Sequence, residues 1–331
     1  MSLSEELMKQ MLETLKKMQE QMAEKASSES DVEDEWTITS EPFQEDMDLS
    51  RREDYEELIT IPTDMTQKKK LEVYRTETLL DRLFLDNSDK CINGIPLGIQ
   101  LSITGTPGAG KSILMEEVAI RAAHRGTKVL YVTSEDIFIS STGRYDLQSR
   151  MMDKSMFLGL EWSKIRENLY VMDTVAKPEL REWNTFAEVL RYTSERNDIK
   201  LIIIDSVTIL ESYRGALKYR VMELARFNQT RGITGLYVNQ RIAESFDKYD
   251  VAGGIALIHN LDATVLVDKG RTYYGDQTED LGVKRGAVTY MVRVADCRLC
   301  GFVREHIQTY ITKHGLLRVT PKGEEVLRKY A

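Results

Sequence analysis

Residues 105–112 read GTPGAGKS, with the spacing G-x-x-x-x-G-K-[ST]. Glycines at these positions let backbone N–H groups close around phosphate oxygens. A lysine just after them can reach the β- and γ-phosphates of a nucleoside triphosphate, and the following hydroxyl can ligate Mg²⁺. Gly105, Thr106, Pro107, Gly108, Ala109, Gly110, Lys111, Ser112 and Ile113 are therefore the expected nucleotide-binding set. Further along, LIIIDS places Asp205 at the end of four apolar residues. A carboxylate there can hold Mg²⁺ through water, or it can cap the next turn. KVLYVTSEDIF supplies Glu135 and Asp136. One of these acids could polarise an attacking water, unless both are solvated loop residues. Gln240 ends GLYVNQ and offers an amide able to sense a γ-phosphate.

These residues work only if the chain between them forms strands and helices in the right order. LSIT before Gly105 reads as a buried strand, and ILMEEVAIRAAHRG after Ser112 reads as a helix ending near Gly126. Strand-length apolar runs then alternate with helical stretches: KVLYVTSE, NLYVMDT, a helix over 184–196, KLIIIDS, a helix over 215–230, GLYVNQ, ATVLVD and VTYMVRV. The continuous run Leu201–Ile204 suits a strand buried on both faces. The pattern predicts an α/β fold with a mostly parallel central sheet, helices on both faces and an antiparallel C-terminal extension.

The chain has 331 residues and a formal net charge of −8. Residues 1–60 hold 6 Lys+Arg against 18 Asp+Glu, a balance of −12, while the remainder holds 39 against 35, or +4. The acidity thus belongs to an N-terminal arm. Met8, Met11, Leu15, Met18 and Met22 alternate at spacings of three and four, which predicts an amphipathic or coiled-coil helix over 1–25, docked on a partner or on the chain itself. Residues 26–60 read as an acidic flexible linker, with Trp36 and Phe43 as candidate anchors, and residues 61–331 as the folded domain. With no apolar run of about 18 residues, no membrane span is expected, and the polar start MSLSEELMKQ suggests a cytoplasmic protein.

In order along the chain, the glycine loop, Glu135, the LIIIDS strand and the VNQ strand end resemble the RecA/RadA/KaiC superfamily of ATPases, and most nearly an archaeal-type single-domain KaiC-like protein. INGIPLGIQLSITG, residues 92–105, is similar to the approach to the glycine loop in KaiC. IIIDSVTIL resembles its Walker B segment, and GGIALIHNLDATVLVDKG, residues 253–270, resembles a segment of RadA. The likeness covers roughly residues 75–315. It implies a RecA-like P-loop core, ATP and Mg²⁺ as cofactors, and a homo-oligomeric ring or filament with ATP between subunits. It also implies Glu135 as the residue that activates water. KaiC carries a Lys-x-Arg pair that reaches the neighbouring subunit's ATP. Arg293 in TYMVRVADCRLCG matches the first position, while Ala295 stands at the second and Arg298 would need a shifted loop. The chain holds one copy of the core and no convincing match to the phosphorylated stretch of KaiC, so no clock role follows.

The resemblance leaves an oligomeric regulatory ATPase, a RadA-paralogue-type DNA-binding accessory and a KaiC-like autokinase as alternatives. For DNA, the loop over 241–254 sets Arg241 and Lys248 against Glu244, Asp247 and Asp250, a poor surplus of cations. Arg214, Lys218 and Arg220 with Tyr213 and Tyr219 are a better candidate surface, or a solvated helix face. The basic run QKKKLEVYR, residues 67–75, could pair with the acidic arm. Cys297 and Cys300 form CRLCG, which fits half a zinc site, a redox pair or two reduced thiols in a strand and turn. The last reading is adopted because no second CxxC is present.

Overall fold

The computed structural model describes residues 70–211, 216–240, 261–271, 286 and 288–331. The expected N-terminal helix and linker, the loop over 241–254, the glycine pair before residue 255, and Tyr213 and Arg214 lie outside the described residues. Three short strands come first: β1 (Val73–Tyr74), β2 (Phe84–Leu85) and β3 (Ile95–Pro96). The central sheet has β4 (Gln100–Gly105), β5 (Val129–Thr133), β6 (Leu169–Asp173), β7 (Leu201–Asp205), β8 (Thr234–Gln240), β9 (Ala263–Arg271) and β10 (Val288–Cys297). After the short β11 (Gly301–Phe302), it is completed by β12 (Ile307–Ile311) and β13 (Leu317–Val319). The helices are α1 (Lys111–His124), α2 (Leu147–Phe157), α3 (Trp162–Arg166), α4 (Trp183–Arg196), α5 (Ala216–Arg231) and α6 (Pro321–Leu327).

The sheet order is β13-β12-β10-β9-β4-β8-β7-β5-β6. From β9 to β6 all neighbours pair in parallel, and from β9 outward to β13 they pair antiparallel. Period-two alternation explains the two cores. Tyr131, Leu201 and Ile203 join a cluster with α1, α2 and α3, whereas Leu130, Val132, Ile202 and Ile204 join one with α4 and α5. The expected α/β fold, parallel centre and antiparallel extension are all present.

Local signals start and stop the helices. Asp146 accepts the Ser149 N–H at 2.8 Å to cap α2. Thr320 caps α6, with Pro321 at its first position. Helix α1 differs, because Gly110 precedes it with φ 100° and no side chain caps it. Its first N–H groups are left to a ligand or to solvent.

Helix α1 also buries two adjacent acids, Glu116 and Glu117. Buried charge needs partners. Glu116 is paired by Lys154 and, at 3.0 Å, by Arg150, both from α2. Glu117 takes a two-pronged bond from Arg318 on β13 at 2.7 and 3.0 Å, and another from Arg121 at 2.8 Å. Its side chain is 1% exposed, whereas the Arg82–Glu324 pair is 37% and 35% exposed. Arg318→Ala should therefore cost about 3 kcal/mol in urea unfolding, and Glu324→Ala no more than about 1 kcal/mol. Equal losses from the two substitutions would refute this ranking of the ion pairs.

Candidate nucleotide site

The carboxyl ends of β4, β5, β7 and β8 meet at one edge of the sheet. A cavity of about 220 Å³ opens there, lined by Pro107, Gly108, Gly110, Lys111, Ser112 and Ile113 with Glu135, Asp205, Ser206, Val238 and Gln240. Crevices at strand ends of open parallel sheets are where such folds bind ligands.

The loop leaves β4 through a tight gap. A Cβ on Gly105 would sit 1.7 Å from the Val267 carbonyl oxygen of β9, so only glycine fits. Gly108 and Gly110 hold φ of 70° and 100°, in the left-handed region. Ala109 is buried, and its N–H closes a turn onto the Thr106 carbonyl at 3.2 Å. Strand β9 clamps the loop from the side. The Lys269 N–H donates to Thr106 Oγ1 at 3.2 Å, and the Thr106 N–H reaches Asp268 Oδ1 at 3.4 Å. The Lys269 ammonium lies 2.7 Å from where a Cβ on Gly108 would be.

Lys111 folds back over the loop and donates to the carbonyls of Gly105 at 2.8 Å and Thr106 at 2.9 Å. Burial lowers its pKa, against the pull of Asp205, Glu135 and Asp268. Ser112 Oγ donates to Asp205 Oδ1 at 3.2 Å, and the Tyr131 hydroxyl donates to Oδ2 at 2.8 Å. Burial pushes Asp205 up to about 6 despite these two bonds, with Glu116 and Glu135 adding to the rise. A hydroxyl and an under-compensated buried carboxylate make a hard-oxygen donor set, which fits Mg²⁺. Glu135 Oε1 accepts from Gln240 Nε2 at 3.0 Å and from Ser206 Oγ at 3.2 Å.

The structure thus brings Gly108, Gly110, Lys111, Ser112, Ile113, Glu135, Asp205 and Gln240 to one cavity. Asp136 stands apart from it, bonded to Arg150 at 2.7 Å. Arg293 lies mid-strand in β10, opposite Leu266, and does not line the cavity. Tyr131, Ser206, Asp268 and Lys269 are singled out by no motif in the sequence. Tyr131 shares a strand face with Val129, and that alternation was the available signal. The clamp by Asp268 and Lys269 depends on β9 lying beside β4, which no local spacing announces.

Of the candidate DNA surface, Arg220 is engaged within the fold. It donates to the Leu210 carbonyl at 2.6 Å and lies 5.2 Å over the Trp183 ring.

Sheet order, glycine loop and strand-end acids together define a P-loop nucleotide-binding domain of RecA type. The family model for the KaiC ATPase matches residues 78–324, and the chain belongs to that family. It is 28% identical over 183 residues to the DNA repair protein RadA of Escherichia coli, covering 53% of this chain and 34% of RadA. The chain thus spans about a third of that relative's length. It is 24% identical over 186 residues to a UPF0273 protein of Thermotoga maritima, covering 53% of this chain and 73% of that one. The crystal structure of a KaiC-like protein from Pyrococcus horikoshii superposes with a TM-score of 0.55 at 14% identity, covering 76% of this chain and all of the other. Among the described residues no helix is long and apolar enough to cross a membrane.

The bond from Tyr131 gives a direct check on this geometry. Tyr131→Phe removes a hydroxyl from a buried carboxylate and should cost about 1–2 kcal/mol in chemical denaturation. An unchanged midpoint would show that Asp205 does not depend on that bond.

Proposed function

We propose that this chain binds ATP with Mg²⁺ in the strand-end cavity and hydrolyses it, acting as an oligomeric regulatory ATPase. The observation that carries the reading is the convergence of Lys111, Ser112, Glu135, Asp205 and Gln240, from four separated segments, on one cavity. The open N–H groups of α1 and of the glycine loop take the phosphate oxygens. Lys111 exchanges its two loop carbonyls for the β- and γ-phosphates. Ser112 and Asp205 hold Mg²⁺, which when bound neutralises charge on the phosphoryl oxygens. Glu135, held at one oxygen by Gln240 and Ser206, takes the proton of the attacking water with the other. Lys269 adds a second cation to the same loop from within the chain. Arg293 is left as the candidate that acts across a subunit boundary.

A DNA-binding reading is favoured by one observation, the identity with a protein named for DNA repair. Stimulation of turnover by single-stranded DNA, with affinity falling steeply in salt, would support it. An added phosphate in intact-mass spectra after ATP incubation would instead support autokinase activity.

Three substitutions test the main reading. Lys111→Ala should abolish ATP binding in calorimetry. Glu135→Gln should keep binding and lower turnover by about 10²–10⁴. Lys269→Ala should weaken ATP binding about tenfold, equivalent to about 1.4 kcal/mol. The reading is lost if wild-type protein binds no ATP in the presence of magnesium, or if Glu135→Gln turns over at the wild-type rate.

A further inference from the structure

On the side of the fold where β10 gives way to β11, two thiols face one another. Cys297 is the last residue of β10, and Cys300 directly precedes β11. Their sulfurs are 3.7 Å apart, and both side chains are partly exposed. The four-residue turn between them is held firmly. Cys297 pairs with Ala263 of β9, the Arg298 N–H donates to the Asp262 carbonyl at 2.8 Å, and Gly301 pairs with Leu85 of β2.

We propose that Cys297 and Cys300 form a reactive dithiol that exchanges with small-molecule disulfides, Cys297 attacking first and Cys300 resolving. The proposal is independent of the ATPase reading. Three features support it. The pair is already close, with 3.7 Å between sulfurs that bond at about 2.05 Å in a disulfide. The two sulfurs are also unequal. The two thiols share a hydrogen bond, and the N–H groups of Leu299 and Cys300 point at the Cys297 sulfur. Together they bring Cys297 down to about 7 against the effect of burial. The bond shared with Cys297 and burial raise Cys300. A thiol lowered in this way is the better nucleophile near neutral pH. Lastly, a cavity of about 460 Å³ opens beside Cys300, lined also by Leu85, Asp89, Phe302, Arg304 and Tyr330. Arg304 there offers a charge to the carboxylates of a disulfide such as oxidised glutathione.

The chemistry balances without any further reactant. The Cys297 thiolate attacks one sulfur of oxidised glutathione and expels one glutathione thiolate. Cys300 loses its proton to that thiolate and attacks the Cys297 sulfur of the mixed disulfide. The second glutathione leaves and takes the proton released when Cys297 ionised. Two cysteines are oxidised, and one disulfide is reduced to two thiols.

Other uses of the pair fit less well. The stabilisation from a covalent link grows with the logarithm of the loop it closes, and a four-residue turn is close to the smallest. Structural zinc needs four ligands, and among the described residues no group of three or more His, Cys, Asp or Glu side chains converges. Cys91 is committed elsewhere, donating to the Asp81 carbonyl at 3.2 Å.

The test uses the full chain with reduced and oxidised glutathione, followed by thiol counting and peptide mapping. Wild type and Cys91→Ser should each lose two thiols to a Cys297–Cys300 link. Cys300→Ser should stop at one glutathione on Cys297, and Cys297→Ser should react at least about tenfold more slowly. Purified protein that carries stoichiometric zinc and reacts only after chelation overturns the proposal. So does glutathione addition to Cys297→Ser at the wild-type rate. If either serine variant fails to fold, mapping of the wild-type protein decides alone: a link between any other pair, or none, is a negative result.

Discussion

Opposite charges buried at one edge of a parallel sheet are the constraint around which this domain is arranged. An ammonium group and a carboxylate taken out of water are tolerable only with partners in reach. Lys111 finds the carbonyls of its own loop, and Asp205 finds Ser112 and Tyr131. Burial outweighs both sets of partners, lowering the pKa of Lys111 and raising that of Asp205. At such an edge the proposed polyphosphate and its metal ion would find partners of both signs. Helix α1 carries the same problem inward. Glu116 and Glu117 face different neighbours, so α1 is tied to α2 on one side and to β13 on another.

Much of this was legible in the chain itself. Buried parallel strands announce themselves as apolar runs, and a phosphate loop has a spacing that few other turns share. Gly105–Ser112, Glu135, Asp205 and Gln240 stand out as candidates because each follows closely on such a run. The segment from Lys111 to His124 was legible as a helix, but its buried acids were not assigned partners, because Arg150, Lys154 and Arg318 come from elements distant in sequence. Lys269 illustrates the limit most clearly. The sequence places it at a strand end before a glycine, and nothing nearby says that this strand lies next to the one feeding the loop. Only the sheet order β9-β4 supplies that neighbour.

Charge counting also misleads at the level of single residues. Arg220 looked available for nucleic acid on composition, yet its guanidinium caps a carbonyl and covers an indole ring. Asp136 and Glu135 are adjacent in sequence, yet one is held by Arg150 and the other lines the cavity. Side chains of like type part company here according to which way a short loop turns after β5.

The contact of Gly110 has a consequence for the later part of the chain. A Cβ at this position would meet Ile311 at 3.3 Å and Leu317 at 3.6 Å, so the β12–β13 hairpin rests on the phosphate loop. Arg318 of the same hairpin holds Glu117 about two turns further along α1. The hairpin is therefore a floor beneath the loop rather than a decoration of the sheet's edge. A shortened version of the chain ending before residue 307 would keep every residue of the phosphate-binding motif, but the surface on which that motif is seated would be gone.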